Sequence, residues 1–202
     1  MISVILPHIG AALVAACLGL ALIRRFTNAK VHLVIAFIAS FTLTLLPLRE
    51  FPASHYLRVL TGDLCILSFV WLTAGTIQTL LNGERIRSKQ DRFTAIAALV
   101  ISLFLYPSAL GLSPLDTYSF GYSPVYLGPF IFFLFVLAVW LNYWIMASSA
   151  VLALAAYHFG LMESNNLWDY LIDPVILIYS LCILVSDRKQ LLVSSKPERI
   201  EI

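Results

Sequence analysis

The feature that most restricts this chain is a succession of long apolar runs, at about 2–23, 31–48, 59–81, 93–112, 125–142, 145–162 and 167–186, joined by short polar connections. Each run approaches the roughly 20 residues that a helix, rising about 1.5 Å per residue, needs to cross hydrocarbon about 30 Å thick. Hydrocarbon offers no water to the backbone, so a crossing segment must pair its own amides, and a helix does this within one segment. Composition agrees: the chain is 60% hydrophobic and 12% charged, where soluble chains run at about 45–50% and about 25%. With 202 residues there is little left over for a soluble domain. The expected fold is therefore an all-α integral membrane protein, a single bundle of about seven transmembrane helices over residues 1–186 with a short cytoplasmic tail, 187–202.

The fifth and sixth runs raise the main difficulty, because no Gly or Pro stands between Pro129 and Gly160. One helix from Tyr126 to Met162 would be about 55 Å long, nearly twice the hydrocarbon thickness. Charge placement argues for a break. Lys and Arg collect on the cytoplasmic side of membrane proteins, and Arg24, Arg25, Lys30, Arg85, Arg87, Lys89, Arg92, Arg188, Lys189, Lys196 and Arg199 account for eleven of the 13 cations. For Arg92 and Arg188 to share a side, an even number of crossings must separate them. A break near Asn142–Trp144 supplies it, giving seven helices with the N-terminus outside and the C-terminus in the cytoplasm; a re-entrant segment in place of runs five and six would leave six. Trp140, Trp144, Trp168, Tyr143 and Tyr170 then fall near interfaces, where amphipathic rings are enriched.

Several functions are disfavoured. No basic stripe interleaved with aromatics is present to track phosphates, so nucleic acid is not an expected partner. Cys17, Cys65 and Cys182 stand singly in apolar runs, without the paired spacing of metal or redox sites, and read as packing residues. "VAAC" at 14–17 resembles a lipoprotein cleavage site, but no cation precedes it and the apolar run continues to Arg24, so the segment is expected to remain as the first helix. No metal is assigned, because no HxxxH or HxxE spacing links the histidines to the acids, and the sequence names no cofactor.

The chemistry gathers on the outer side, in the connections at 48–58, 113–124 and 163–173. Glu50, Asp63, Asp116, Glu163, Asp169 and Asp173 face only Arg49 and Arg58 there, a net of −4, against +6 on the inner side, which together give the overall +2. Asp63, placed about 7 Å deep on the third helix by the helical rise, reads equally as a functional group or as half of a structural ion pair, since intramembrane charges are costly. His55, Asp63, Glu163 and Asp169 are candidate catalytic groups for proton transfer. Arg49, Arg58, Asp116, Asn166 and His158 are candidate substrate-binding groups, the arginines suiting phosphate or carboxylate. His8 and His32 are weaker candidates.

Each has a plainer alternative. A lone membrane histidine commonly packs and hydrogen-bonds. Asp173 precedes Pro174, which suits an N-cap followed by proline at the first helical position. Residues 175–186 supply only about 18 Å of helix, so the last span either starts near Asn165 and bends at Pro174, or 165–173 forms a non-helical lip buried in protein. The turn-rich stretch 114–124 reads as an interfacial anchor ahead of an aromatic lid, and Ser119 lacks the elbow of a nucleophile.

The leading expectation is a small polytopic protein of a bacterial inner membrane that handles or modifies a lipid-linked or cell-envelope substrate at its outer face. The alternative is a non-catalytic subunit or assembly factor of a membrane complex. A transporter ranks third, because polar groups are scarce near the midplane. Whether the chain is an enzyme stays open at this point. Membrane lipids are partners under every version.

Overall fold

The structure is a computed structural model and describes residues 2–83 and 88–194, with side chains over 5–83 and 88–186. Arg85, Arg87, Lys196 and Arg199, on which part of the charge argument rests, lie outside the described residues. The described chain is all-helical apart from one two-stranded hairpin. Its helices are α1 (Ile2–Ile23), α2 (Lys30–Leu45), α3 (Ala53–Thr61), α4 (Ile66–Asn82), α5 (Lys89–Ala109), α6 (Pro124–Trp140), α7 (Trp144–His158) and α8 (Pro174–Ser194). Helix α8 thus runs eight residues past the point where a tail was expected to begin.

Helices α1 and α5 are long and apolar enough to cross a membrane, with mean hydropathies of 2.1 and 1.5. A third crossing is available if α3 and α4 are counted as one broken span. Four further apolar helices, α2, α6, α7 and Pro174–Ser186 of α8, are shorter. The apolar runs overstate helix length because their ends form turns. Leu46 is extended before Pro47, a conformation imposed by the proline ring, so α2 stops at Leu45. Helices α5, α6 and α7 each end in a Schellman motif, with residues of positive φ at Gly111, Asn142 and Gly160. At the α6 end Asn142 N–H donates to Val139 O (3.0 Å) and Tyr143 N–H to Ala138 O (2.8 Å), the paired bonds that satisfy terminal carbonyls. The expected break near Asn142–Trp144 is present, made by an asparagine where glycine is usual.

The third run departs from expectation. It was read as one helix over 59–81, but the chain turns by 120° between α3 and α4. Gly62 carries the turn at φ 70°, a left-handed region that glycine enters without a Cβ penalty. Gly10 of α1 lies against this break: a Cβ there would stand 2.9 Å from Cβ of Leu64. The fold brings α1 and α2 together as a hairpin, where a Cβ at Gly19 would overlap Ser40 Oγ at 2.1 Å. Around α4, α5, α7 and α8 the core is built from Trp71, Ile131, Ile176 and a series of alanines at 95, 98, 150, 153 and 156, small residues that let apolar helices approach closely.

The exterior is also apolar. Ile35 (58%), Leu103 (71%), Phe104 (69%), Phe132 (63%) and Phe133 (61%) stand exposed. Apolar exposure of this extent marks surfaces covered by something other than water.

Candidate functional site

The break between α3 and α4 opens one end of the bundle into a cavity of about 550 Å³. Its acidic lining is Asp63 from the break, Glu163 and Asp169 from the α7–α8 connection, and Asp173 at the head of α8. Leu60, Tyr106, Met162 and Ile172 are among the rest. Four carboxyl groups from two separate chain segments thus line one space.

Arg58, in the last turn of α3, organises the mouth. Its Nε donates to Asp63 Oδ1 at 2.5 Å and its Nη2 to Asp63 Oδ2 at 3.2 Å, a forked geometry in which the planar guanidinium matches a carboxylate. The same Nη2 lies 3.0 Å from Glu163 Oε2. Five residues is too far for a pair along a continuous helix; the turn at Gly62 is what swings Asp63 back onto Arg58. Asp63 is therefore half of an ion pair, one of the two expected alternatives, but it stands at a helix break and not on a straight span.

Asp169 is fixed by hydroxyls. Tyr118 Oη donates to both its oxygens, at 3.1 and 3.2 Å, and Ser164 Oγ to Oδ2. Burial, then the adjacent Asp169 charge, holds the Tyr118 phenol well above its usual range, so it stays a neutral donor. Residues 165–173 form the non-helical lip buried in protein, containing a 3-10 turn at Leu167–Tyr170. Asn166 is fully buried; its Oδ1 accepts from Trp168 N–H and its Nδ2 donates to Tyr118 O.

Asp173 caps α8 by accepting from Ile176 N–H at 2.6 Å. It also accepts from Cys65 N–H and from Ser68 Oγ, both at 2.7 Å. A single carboxyl group therefore ties together the N-termini of α4 and α8, more than 100 residues apart. Both ends present unpaired amides that favour negative charge.

The remaining candidates lie apart from this cavity. Arg49 sits exposed at the tip of the hairpin formed by Pro47–Leu48 and Phe51–Pro52. His55 stacks on Phe51, with ring centroids 4.6 Å apart, and neighbours His8, which pairs with Ser54 at 2.9 Å. His158 is exposed at the end of α7 against Phe159. Asp116 accepts from Ser119 N–H at 3.1 Å within its own turn. His32 approaches Thr27 at the opposite end of α1. Of the nine candidates, Asp63, Glu163 and Asp169 line the cavity, Arg58 bridges two of them, and Asn166 supports its wall.

The chain matches no family model, no curated protein and no solved structure. Its chemistry therefore rests on the geometry alone. Among the described residues no three His, Cys, Asp or Glu side chains are grouped so as to share a metal ion. The acids line the cavity at separate points, an arrangement suited to distributed contacts with a cationic or hydroxyl-rich ligand. Tyr106 joins them unannounced by the sequence: its ring lines the cavity, and its hydroxyl is inaccessible and has no hydrogen-bond partner among the described residues. Nothing in the apolar run 93–112 distinguishes this tyrosine from a packing residue.

Proposed function

We propose that this chain is an integral membrane protein of about seven helices, N-terminus outside and C-terminus cytoplasmic, whose acid-rich cavity handles a lipid-linked or cell-envelope substrate at the outer face. The observation that carries the reading is the cavity itself, four carboxyl groups and one bridging arginine in about 550 Å³ at one end of an apolar bundle. That volume falls within the range of small-molecule sites, roughly 300–1,000 Å³. The exposed apolar exterior supports membrane integration, and the position of Lys89 and Arg92 at the end of α5 remote from Tyr106 supports the orientation. A bacterial inner membrane suits the short connections.

The test is the set of molecules that co-purify with the protein in mild detergent. Lipid or envelope molecules bound to the natural chain should be lost from an Asp63→Asn, Asp169→Asn double variant of equal membrane abundance. Equal retention by both proteins contradicts a substrate site in this cavity. A purely structural subunit of a membrane complex would instead retain a stoichiometric protein partner whether or not these acids are present.

A further inference from the structure

We propose that the cavity is the headgroup half of a single amphiphile site whose other half is an apolar groove, and that its ligand carries a protonated amine. This deepens the reading above and rests on it. A groove of about 210 Å³ runs between α1, α4 and α7, lined by Leu6, Ile66, Phe69, Val70, Leu152 and Ala156 among others. Asp63 and Met162 line both spaces, so the groove adjoins the acidic cavity.

The order of residues along the helices gives the groove a direction. On α4, Ile66, Phe69 and Val70 lie successively further from Asp63; on α7, Ala156 and then Leu152 lie further from Met162. The helical rise carries these positions about 6 to 10 Å from the cavity toward the middle of the bundle. A hydrocarbon chain entering there packs against these apolar side chains.

Charge decides the headgroup. Asp63, Glu163, Asp169 and Asp173 line the cavity; Asp63 and Glu163 share Arg58 and Asp173 is buried on the amides of Cys65 and Ile176, so the lining is net negative and Asp169 is held only by hydroxyls. An anionic head would be repelled by this net charge, whereas an ammonium group brings donors to it. Asp169, already oriented by Tyr118 and Ser164, is the carboxylate placed to receive it.

The experiment offers delipidated protein an equimolar mixture of phosphatidylethanolamine and phosphatidylglycerol of identical acyl chains and reads the bound lipid by native mass spectrometry. Enrichment of phosphatidylethanolamine by about fivefold is expected, the equivalent of one partly exposed ion pair. Asp169→Asn should reduce it toward parity. Leu152→Trp, at a half-exposed groove position, should lower total retention of both lipids without changing their ratio. Binding of both lipids at parity, or preference for phosphatidylglycerol, overturns the amine assignment while leaving a substrate cavity in place. Retention of neither lipid overturns the amphiphile site and the lipid-handling reading together. Should a variant fail to fold, the ratio bound by the natural chain still decides the headgroup.

Discussion

Two apolar runs are interrupted in this protein, and they are interrupted differently. Between α6 and α7 the chain turns at Asn142 and satisfies its terminal carbonyls with its own next amides, through Val139 and Ala138. Between α3 and α4 it turns at Gly62, and the head of α4, capped by Cys65 Sγ on Ser68 N–H, is held in addition by Asp173 from the far end of the sequence. The first break closes on its own backbone hydrogen bonds. The second stays open, carries Asp63 on its edge, and draws Arg58, Glu163 and the 163–173 lip around it. A locally satisfied break makes a connection, while one that depends on distant side chains gathers polar groups from across the chain.

Substitutions that separate the two breaks should differ in scale. The largest effect is expected for Asp173→Ala, which uncaps α8, cuts its tie to the head of α4 and strands the amides of Cys65 and Ile176 in a buried position. A loss of about 3 kcal/mol, read from thermal unfolding in detergent, follows from one cap plus one buried unsatisfied group. Gly10→Ala should come next: its methyl group meets Leu64 at 2.9 Å, forcing the α3–α4 break outward at a cost of about 1–2 kcal/mol. That variant should also alter lipid retention, because Leu64 and Asp63 adjoin the groove.

At the self-contained break, Asn142→Val places a β-branched residue at φ 59° and should cost about 1–2 kcal/mol, yet leave the lipid ratio unchanged. Asn142→Gly should be neutral or slightly stabilising by the same measurement. Smallest is Glu163→Gln. Its side chain is 60% exposed, so loss of the ion pair should change stability by less than about 0.5 kcal/mol, with any effect confined to ligand binding.

The same contrast explains what could be read from the sequence. The break at Asn142 was legible because a helix of about 55 Å is too long for a bilayer and because the cations around Arg92 and Arg188 require an even number of crossings. The capping of α8 by Asp173 was legible from the Asp-Pro dipeptide, which is a local signal. Its second role, on Cys65 and Ser68, was not, since nothing near either residue marks a partner more than 100 positions away. The α3–α4 break was hidden by an apolar run in which Gly62 alone gave warning, and a single glycine does not distinguish a tolerated helical position from a turn. Asp63 and Arg58 were both identifiable as costly charges near an interface, but their pairing depended on that turn. His55, His158, Arg49 and Asp116 were grouped by expected depth and side, and depth alone does not bring side chains on different faces together.

The claim on which the account turns is that the open break faces the outer compartment. The direct measurement is labelling of intact cells with a membrane-impermeant maleimide, using Glu163→Cys at the cavity mouth and Ser88→Cys at the start of α5, each in a chain whose Cys17 and Cys182 are replaced by alanine. The account predicts that the cysteine at 163 is labelled in intact cells and that the one at 88 is labelled only after permeabilisation. Labelling at 88 in intact cells, with 163 protected until the membrane is opened, would contradict it.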